Sequence, residues 1–205
     1  MNLKNYHNYL GFIMLLPLIA WAITGVFFFI KPGYSEAYEQ LAIKTYPSIN
    51  SFTTPNTNQW SEIKIIHSIL GEHLLVKNED NKWSHLDRAT MQIIEIPSEQ
   101  QVEALIQDAI KHNTERYGNV VSLDGLTVLT STQIEITLNW PQMSLYQQGP
   151  DTEFIDTMYQ IHYLKWTGIK AVDNVLGVVG LALVIILALL GTILSFKRYS
   201  SVNKQ

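Results

Sequence analysis

The groups in this chain best suited to chemistry are histidines. The 205 residues include six histidines and no cysteine. Disulfides, cysteine-ligated iron–sulfur clusters, covalently attached c-type haem and thiol redox chemistry are therefore excluded. His7 and His162 stand at the edges of two long apolar stretches, and His162 is followed by Tyr163, Leu164 and Trp166. An imidazole at such a position is either an interfacial polar residue or an axial ligand to haem iron, and the residues alone leave both open. The other four, His67, His73, His85 and His112, show no metal-ligand spacing with one another or with paired carboxylates. They read as surface or partly buried residues. Walker, dinucleotide, HExxH and nucleophile-elbow motifs are all missing.

Two elements must position the first pair of histidines. Residues 9–30 form an apolar run of about 22 residues, and 172–196 contains an unbroken apolar run from Leu176 to Phe196 that stops at Lys197-Arg198. A bilayer core takes roughly 20 apolar residues at ~1.5 Å each, so both read as transmembrane helices. The first ends in Phe27-Phe28-Phe29-Ile30 without a small-residue cleavage site, which predicts a retained span rather than a signal peptide. Pro17 predicts a kink, and Trp21, near mid-span, is expected to pack on another helix. The apolar runs hold no ionisable residue, which argues against an ion pathway built by this chain alone. Two helices do not enclose a macrocycle, whereas a dimer would supply a four-helix bundle. Gly11, Gly25, Gly177, Gly180 and Gly191 suit close approach of a flat ring or simple helix packing.

The tails, 1–8 and 197–205, carry basic and no acidic residues, which predicts that both are cytoplasmic. The intervening loop has 10 basic against 17 acidic residues over positions 31–170, a net of −7, and would face the periplasm of a bacterium. This acidity gives no support for nucleic-acid binding. Residues 31–152 read as a folded α+β domain and 153–171 as an amphipathic interfacial segment. In the domain, Trp60, Ile63, Ile66, His67 and Leu70 fit a short helix before Gly71. His73–Lys77 and Lys82–Arg88 read as strands around a turn, with Met91–Ile96 as a third. Ser98 and Gln101 form a capping box for a helix whose inner face is Val102, Leu105, Ile106, Ala109 and Ile110. Val120–Trp140 is strand-like, with Ile134, Ile136 and Leu138 alternating against polar residues. Asp87 and Glu79-Asp80 read as turn residues, and Thr53-Thr54-Pro55-Asn56 as a turn cluster.

His7-Asn8-Tyr9-Leu10-Gly11 followed by Ala22-Ile23-Thr24-Gly25 resembles the first span of the PepSY-associated transmembrane family. Ile161-His162, then Gly168 and a span ending Leu190-Gly191-Thr192, resembles that family's second histidine element. Trp83 to Met91 is similar to its hairpin in which Asp, a turn and Thr-Gly recur, with Met91 in place of the glycine. The two-span layout with one outer domain looks most like the small iron-uptake-associated (VciB-like) branch. The resemblance implies a PepSY-like outer domain and a haem b whose iron is ligated at positions matching His7 and His162. It also implies ferric iron reduction on the periplasmic side of the bacterial inner membrane, in support of a ferrous iron transporter.

On this reading, a homodimer would take electrons from a quinol or flavin near His7 and deliver them near His162 to ferric iron or its chelates. Tyr159, Tyr163 and Trp166 would shape the pocket, with Gly11 beside it, and membrane lipid would surround the spans. The competing expectation is a membrane-anchored PepSY interaction or regulatory module without redox activity. A third is an accessory subunit of a transporter.

Overall fold

The computed structural model describes residues 2–48 and 60–202; the Thr53–Asn56 cluster and Lys204 lie outside them. The chain divides into two compact units. One comprises Met1–Pro32 with Glu153–Gln205, the other Gly33–Thr152.

The first unit is helical. Helix α1 spans Leu3–Ile30 and continues through Pro17. Its end is closed by Lys31 in a left-handed conformation, whose amide bonds the Phe27 carbonyl at 2.8 Å. Helix α5 covers Pro150–His162 and helix α6 covers Lys170–Val202. Both α1 and α6 are long and apolar enough to cross a bilayer. The core helix of a soluble protein would be mostly covered, whereas 11% and 6% of their apolar windows are buried. Phe12 is 81% exposed and Val178 71%. Such surface is stable in lipid and not in water. The two helices pack antiparallel: a Cβ at Gly11 would meet Leu187, and one at Gly180 would meet Trp21. Trp21 thus packs on another helix rather than anchoring at an interface.

The second unit is α+β with two antiparallel sheets. A short helix α2 (Tyr34–Ala37) leads in. The first sheet has order β1-β2-β3, from Trp60–Ser68, Gly71–Asn78 and Trp83–Leu86. The second has order β4-β5-β6-β7, from Val120–Asp124, Thr127–Thr130, Glu135–Asn139 and Ser144–Gln148. Helix α3 is Glu99–Ile110 and α4 is Thr114–Tyr117, and a 3-10 turn occupies Trp140–Gln142.

Two expectations fail here. The helix expected before Gly71 is strand β1, paired with β2 from Trp60↔Asn78 to Ser68↔Gly71. Its β-branched Ile63, Ile65 and Ile66 suit a pleat, and the ladder supplies partners that an isolated two-turn helix would lack. The third strand over Met91–Ile96 shrinks to one bridge, Leu86↔Ile93. Asp87 Oδ1 accepts the amides of Ala89 and Thr90 and the Thr90 hydroxyl, which turns the chain instead. Met91 then sits at φ 56°, a conformation that favours glycine.

The core packs α3 onto the second sheet through Val102, Leu105, Ile106, Val128, Ile136 and Leu138, all 1% exposed or less. The capping box is formed on both sides, Gln101 N to Ser98 Oγ at 3.4 Å and Ser98 N to Gln101 Oε1 at 2.9 Å. Ser98→Ala should lower the domain's stability by about 1 kcal/mol in urea unfolding with an unchanged slope.

Candidate functional site

Helix α1 carries Trp21 and Thr24 one turn apart, so both meet the end of α5. The Trp21 indole donates to the His162 carbonyl at 2.7 Å, fixing the last turn of α5 against α1. Thr24, 2% exposed, lies 2.8 Å from His162 Nδ1 through its Oγ1. The hydroxyl has one hydrogen, and a backbone carbonyl takes it: Ala20 O at 2.7 Å, with Trp21 O farther at 3.3 Å. With its hydrogen on the Ala20 carbonyl, Oγ1 accepts from the ring, an arrangement that puts the imidazole hydrogen on Nδ1. His162 Nε2 makes no hydrogen bond to any described residue. A donated Nδ1–H with a bare Nε2 is the form in which an imidazole binds a metal.

Aromatic rings hold this imidazole. Phe28 meets it edge-on at 5.1 Å and stacks on Tyr159 at 4.5 Å, and Tyr159 stacks on Tyr163 at 6.0 Å. Beside it lies a cavity of about 580 Å³ lined by Trp21, His162, Tyr163, Gly177, Val178 and Leu181. Ligand sites typically occupy roughly 300–1,000 Å³. Lys165 lines its mouth and sits 5.6 Å over the Tyr163 ring. Trp166, 58% exposed, lines an adjoining polar cleft with Gln160, Lys170 and Asn174 rather than the His162 cavity.

His7 occupies the opposite end of the helix pair. From residue 7 to residue 24 a helix climbs about 25 Å, so the two imidazoles cannot meet in one chain. A cavity of about 940 Å³ lies beside His7, lined also by Leu187, Gly191, Ser195, Phe196 and Tyr199. His7 Nδ1 is buried without a hydrogen-bond partner among the described residues, which costs roughly 1–3 kcal/mol unless a further group satisfies it. A Cβ at Gly191 would come 3.2 Å from His7 Cε1, so the glycine keeps room for the ring. Gly11 lines neither cavity and serves the contact with Leu187.

The donor sets fit a b-type haem: one imidazole per cavity, mostly apolar walls and no cysteine. Sequence reasoning placed His7 and His162 at the site but missed Thr24 and Trp21 as the residues that orient His162. The signal was there, in Thr24-Gly25 at the end of one span and Gly191-Thr192 at the end of the other.

The α+β domain holds a second histidine group that spacing did not reveal. His73 and His85 are buried, at 4% and 2% exposure, on neighbouring strands β2 and β3. His73 Nδ1 lies 3.0 Å from His85 Nε2, and His73 Nε2 lies 2.6 Å from Ser68 Oγ. Trp140 packs on both rings, 4.2 Å from His85 and 5.7 Å from His73. Burial pushes His73 down to about 4, with His85 and His67 adding to the effect. His85 is lowered too, chiefly by burial; the Trp140 backbone opposes this without reaching hydrogen-bond geometry. His112, half exposed, instead bonds Glu39 at 2.6 Å and is raised by it. No group of three or more metal-ligating side chains occurs among the described residues.

No protein-family model, characterised protein or solved structure matches this chain. Its own geometry defines two helices long and apolar enough to cross a bilayer, flanking an α+β domain with two antiparallel sheets.

Proposed function

We propose that this chain is a haem-b electron-transfer protein of the bacterial inner membrane, reducing ferric iron on the periplasmic side in support of ferrous iron uptake. The observation that carries this reading is the contact between Thr24 and His162. Thr24 Oγ1, bonded to the Ala20 carbonyl, lies 2.8 Å from Nδ1, and Nε2 has no partner among the described residues beside a mostly apolar cavity. His7, with its orphaned buried nitrogen and the glycine opposite it, supplies a second such site a membrane's depth away.

In this scheme the tails are cytoplasmic and the domain periplasmic. Haem supplies reversible one-electron iron chemistry. His7 and His162 hold the two ends of the path, Thr24 holds the His162 ring in one tautomer, and Phe28 and Tyr159 fix its plane. The apolar walls of α1 and α6 exclude water. Haem held at His7 and His162 would supply the one-electron chemistry between a quinol or flavin at the His7 end and ferric iron or its chelates at the His162 end. The loop's net charge of −7 raises the local concentration of cationic species. The resemblance to the PepSY-associated transmembrane family points the same way.

The test is an absorption spectrum of the detergent-purified protein, from haem-replete cells, before and after dithionite. Sharp reduced α and β bands, with reoxidation by ferric citrate, are expected. A featureless spectrum overturns the reading. It would favour the interaction module instead, for which Ile93 and Ile96, 75% and 73% exposed between β3 and α3, offer an apolar contact.

A further inference from the structure

The two sheets of the α+β domain meet across a narrow junction. Among the named elements, the first sheet approaches those of the second chiefly where β3 meets the turn Trp140–Gln142. Histidines rather than aliphatic side chains face that turn: the Trp140 ring lies on His85 and edge-on to His73. The surrounding elements bring the pair no countercharge. His67 on β1 adds only another base, and the turn Trp140-Pro141-Gln142 is uncharged. Glu72 points to the opposite face of β2, where Arg88 and Ser48 bond it. Asp87, after β3, is taken up by Ala89 and Thr90. Neither ring meets a carboxylate among the described residues.

Counting hydrogens shows what the pair can hold. Its contacts form one chain, from Ser68 Oγ through His73 Nε2 and Nδ1 to His85 Nε2, with His85 Nδ1 at the end. The two middle nitrogens, 3.0 Å apart, have room for a single hydrogen between them. After one proton is taken up, the two rings carry three hydrogens, and one must then sit on His85 Nδ1 whichever tautomers they start from. That atom is buried without a partner among the described residues. Trp140 Nε1, equally buried and unpartnered, is a donor and cannot accept from it. The Trp140 backbone acts on His85 without reaching hydrogen-bond geometry. A charged donor left in that position is costly, and finding it an acceptor means moving the turn or admitting water.

We propose that His73, His85 and Trp140 form an acid-released latch: a proton taken up by the pair parts the first sheet from the Trp140 turn, while α3 and the second sheet stay folded. The second sheet stands without the first because α3 closes a core of its own on it, through Val102, Leu105, Ile106, Val128, Ile136 and Leu138, each 1% exposed or less. Opening uncovers Ile66 and Leu75, the buried residues that the first sheet adds to that core. At pH 7 the latch is closed, since burial holds both rings below the ordinary histidine range and the pair is neutral. The latch belongs to the α+β domain alone and works whether or not the chain binds haem.

Amide hydrogen exchange of the full-length protein in nanodiscs, corrected for the intrinsic rate at each pH, tests the latch. Amides of β2 and β3 are expected to exchange through one shared opening that depends only weakly on low concentrations of urea. Their protection should fall by roughly tenfold per pH unit between pH 6 and 5, for the one proton taken up. Amides of α3, β5 and β6 should stay more protected and show the full urea dependence of global unfolding. In His73→Gln/His85→Gln the fall with pH should vanish. Equal protection and equal urea dependence in both sheets would mean that the domain opens as one block, and overturns the proposal. So does protection of β2 and β3 that ignores pH. Both outcomes are read on the wild type, so the test decides even where the double variant fails to fold.

Discussion

A His162→Ala protein is expected to keep the haem near His7 and lose the one near the outer surface. On the haem reading, the purified protein should lose about half of its haem, and ferric reduction should drop to background. Thr24→Val, nearly isosteric, is the sharper companion. It removes the hydroxyl that meets His162 Nδ1, its one side-chain partner there among the described residues, in a site where Thr24 is 2% exposed. Losing that partner leaves a partly buried ring nitrogen unsatisfied and, with the hydrogen on Nδ1, makes the ring a weaker base. A weaker base stabilises ferric iron less, so the potential of the outer haem should rise. One neutral hydrogen bond, about 1 kcal/mol, corresponds to roughly 40 mV for a one-electron couple. The haem near His7 should not move. Redox titration followed at the α band resolves the two. If both potentials stay put in Thr24→Val, the Nδ1–Oγ1 bond has no part in tuning.

How much of this was legible in the sequence depends on the length scale of the signal. The spans were legible because more than 20 consecutive apolar residues have few explanations, and the capped helix α3 because Ser98, Gln101 and the Val102–Ile110 stripe agree with one another. Strand β1 was misread because Ile63, Ile66 and Leu70 fall at helical intervals by chance. Only the ladder to Gly71–Asn78 decides between the two readings. Met91 was read as part of a strand because sequence carries no φ; the Asp87 turn sets it at 56°. The site was half legible. A histidine beside a span is visible, but which nitrogen carries its hydrogen depends on Thr24, 138 positions away. The His73–His85 pair was invisible for the same reason, since register β2·β3 rather than spacing brings those rings together.

That pair also makes the outer domain sensitive to acid, and the sign is fixed by its burial. An unfolded chain protonates histidine near 6.5, whereas in the folded domain His73 is held down to about 4. Between those values the unfolded state binds the proton and the native state does not, so stability rises with pH across the window. Going down from pH 7, the domain is unaffected until about 6.5 and then loses stability progressively to about 4. At ~1.4 kcal/mol per unit over these roughly 2.5 units, the loss from His73 approaches 3.5 kcal/mol. His85, lowered in the same direction, adds to it. Glu39 works in the same sense at lower pH, because its folded value is depressed and its contribution is lost as carboxylates protonate. His112 opposes, since its raised value favours the folded state below neutrality, but that side chain is half exposed and screened. Urea unfolding of the full-length protein in detergent, followed by tryptophan fluorescence at pH 7.0, 6.0, 5.0 and 4.5, reads the slope directly. His73→Gln/His85→Gln, which cannot take up a proton at either position, should flatten it. A wild-type midpoint constant from pH 7 to 4.5 would mean the pair is not held neutral in the folded domain.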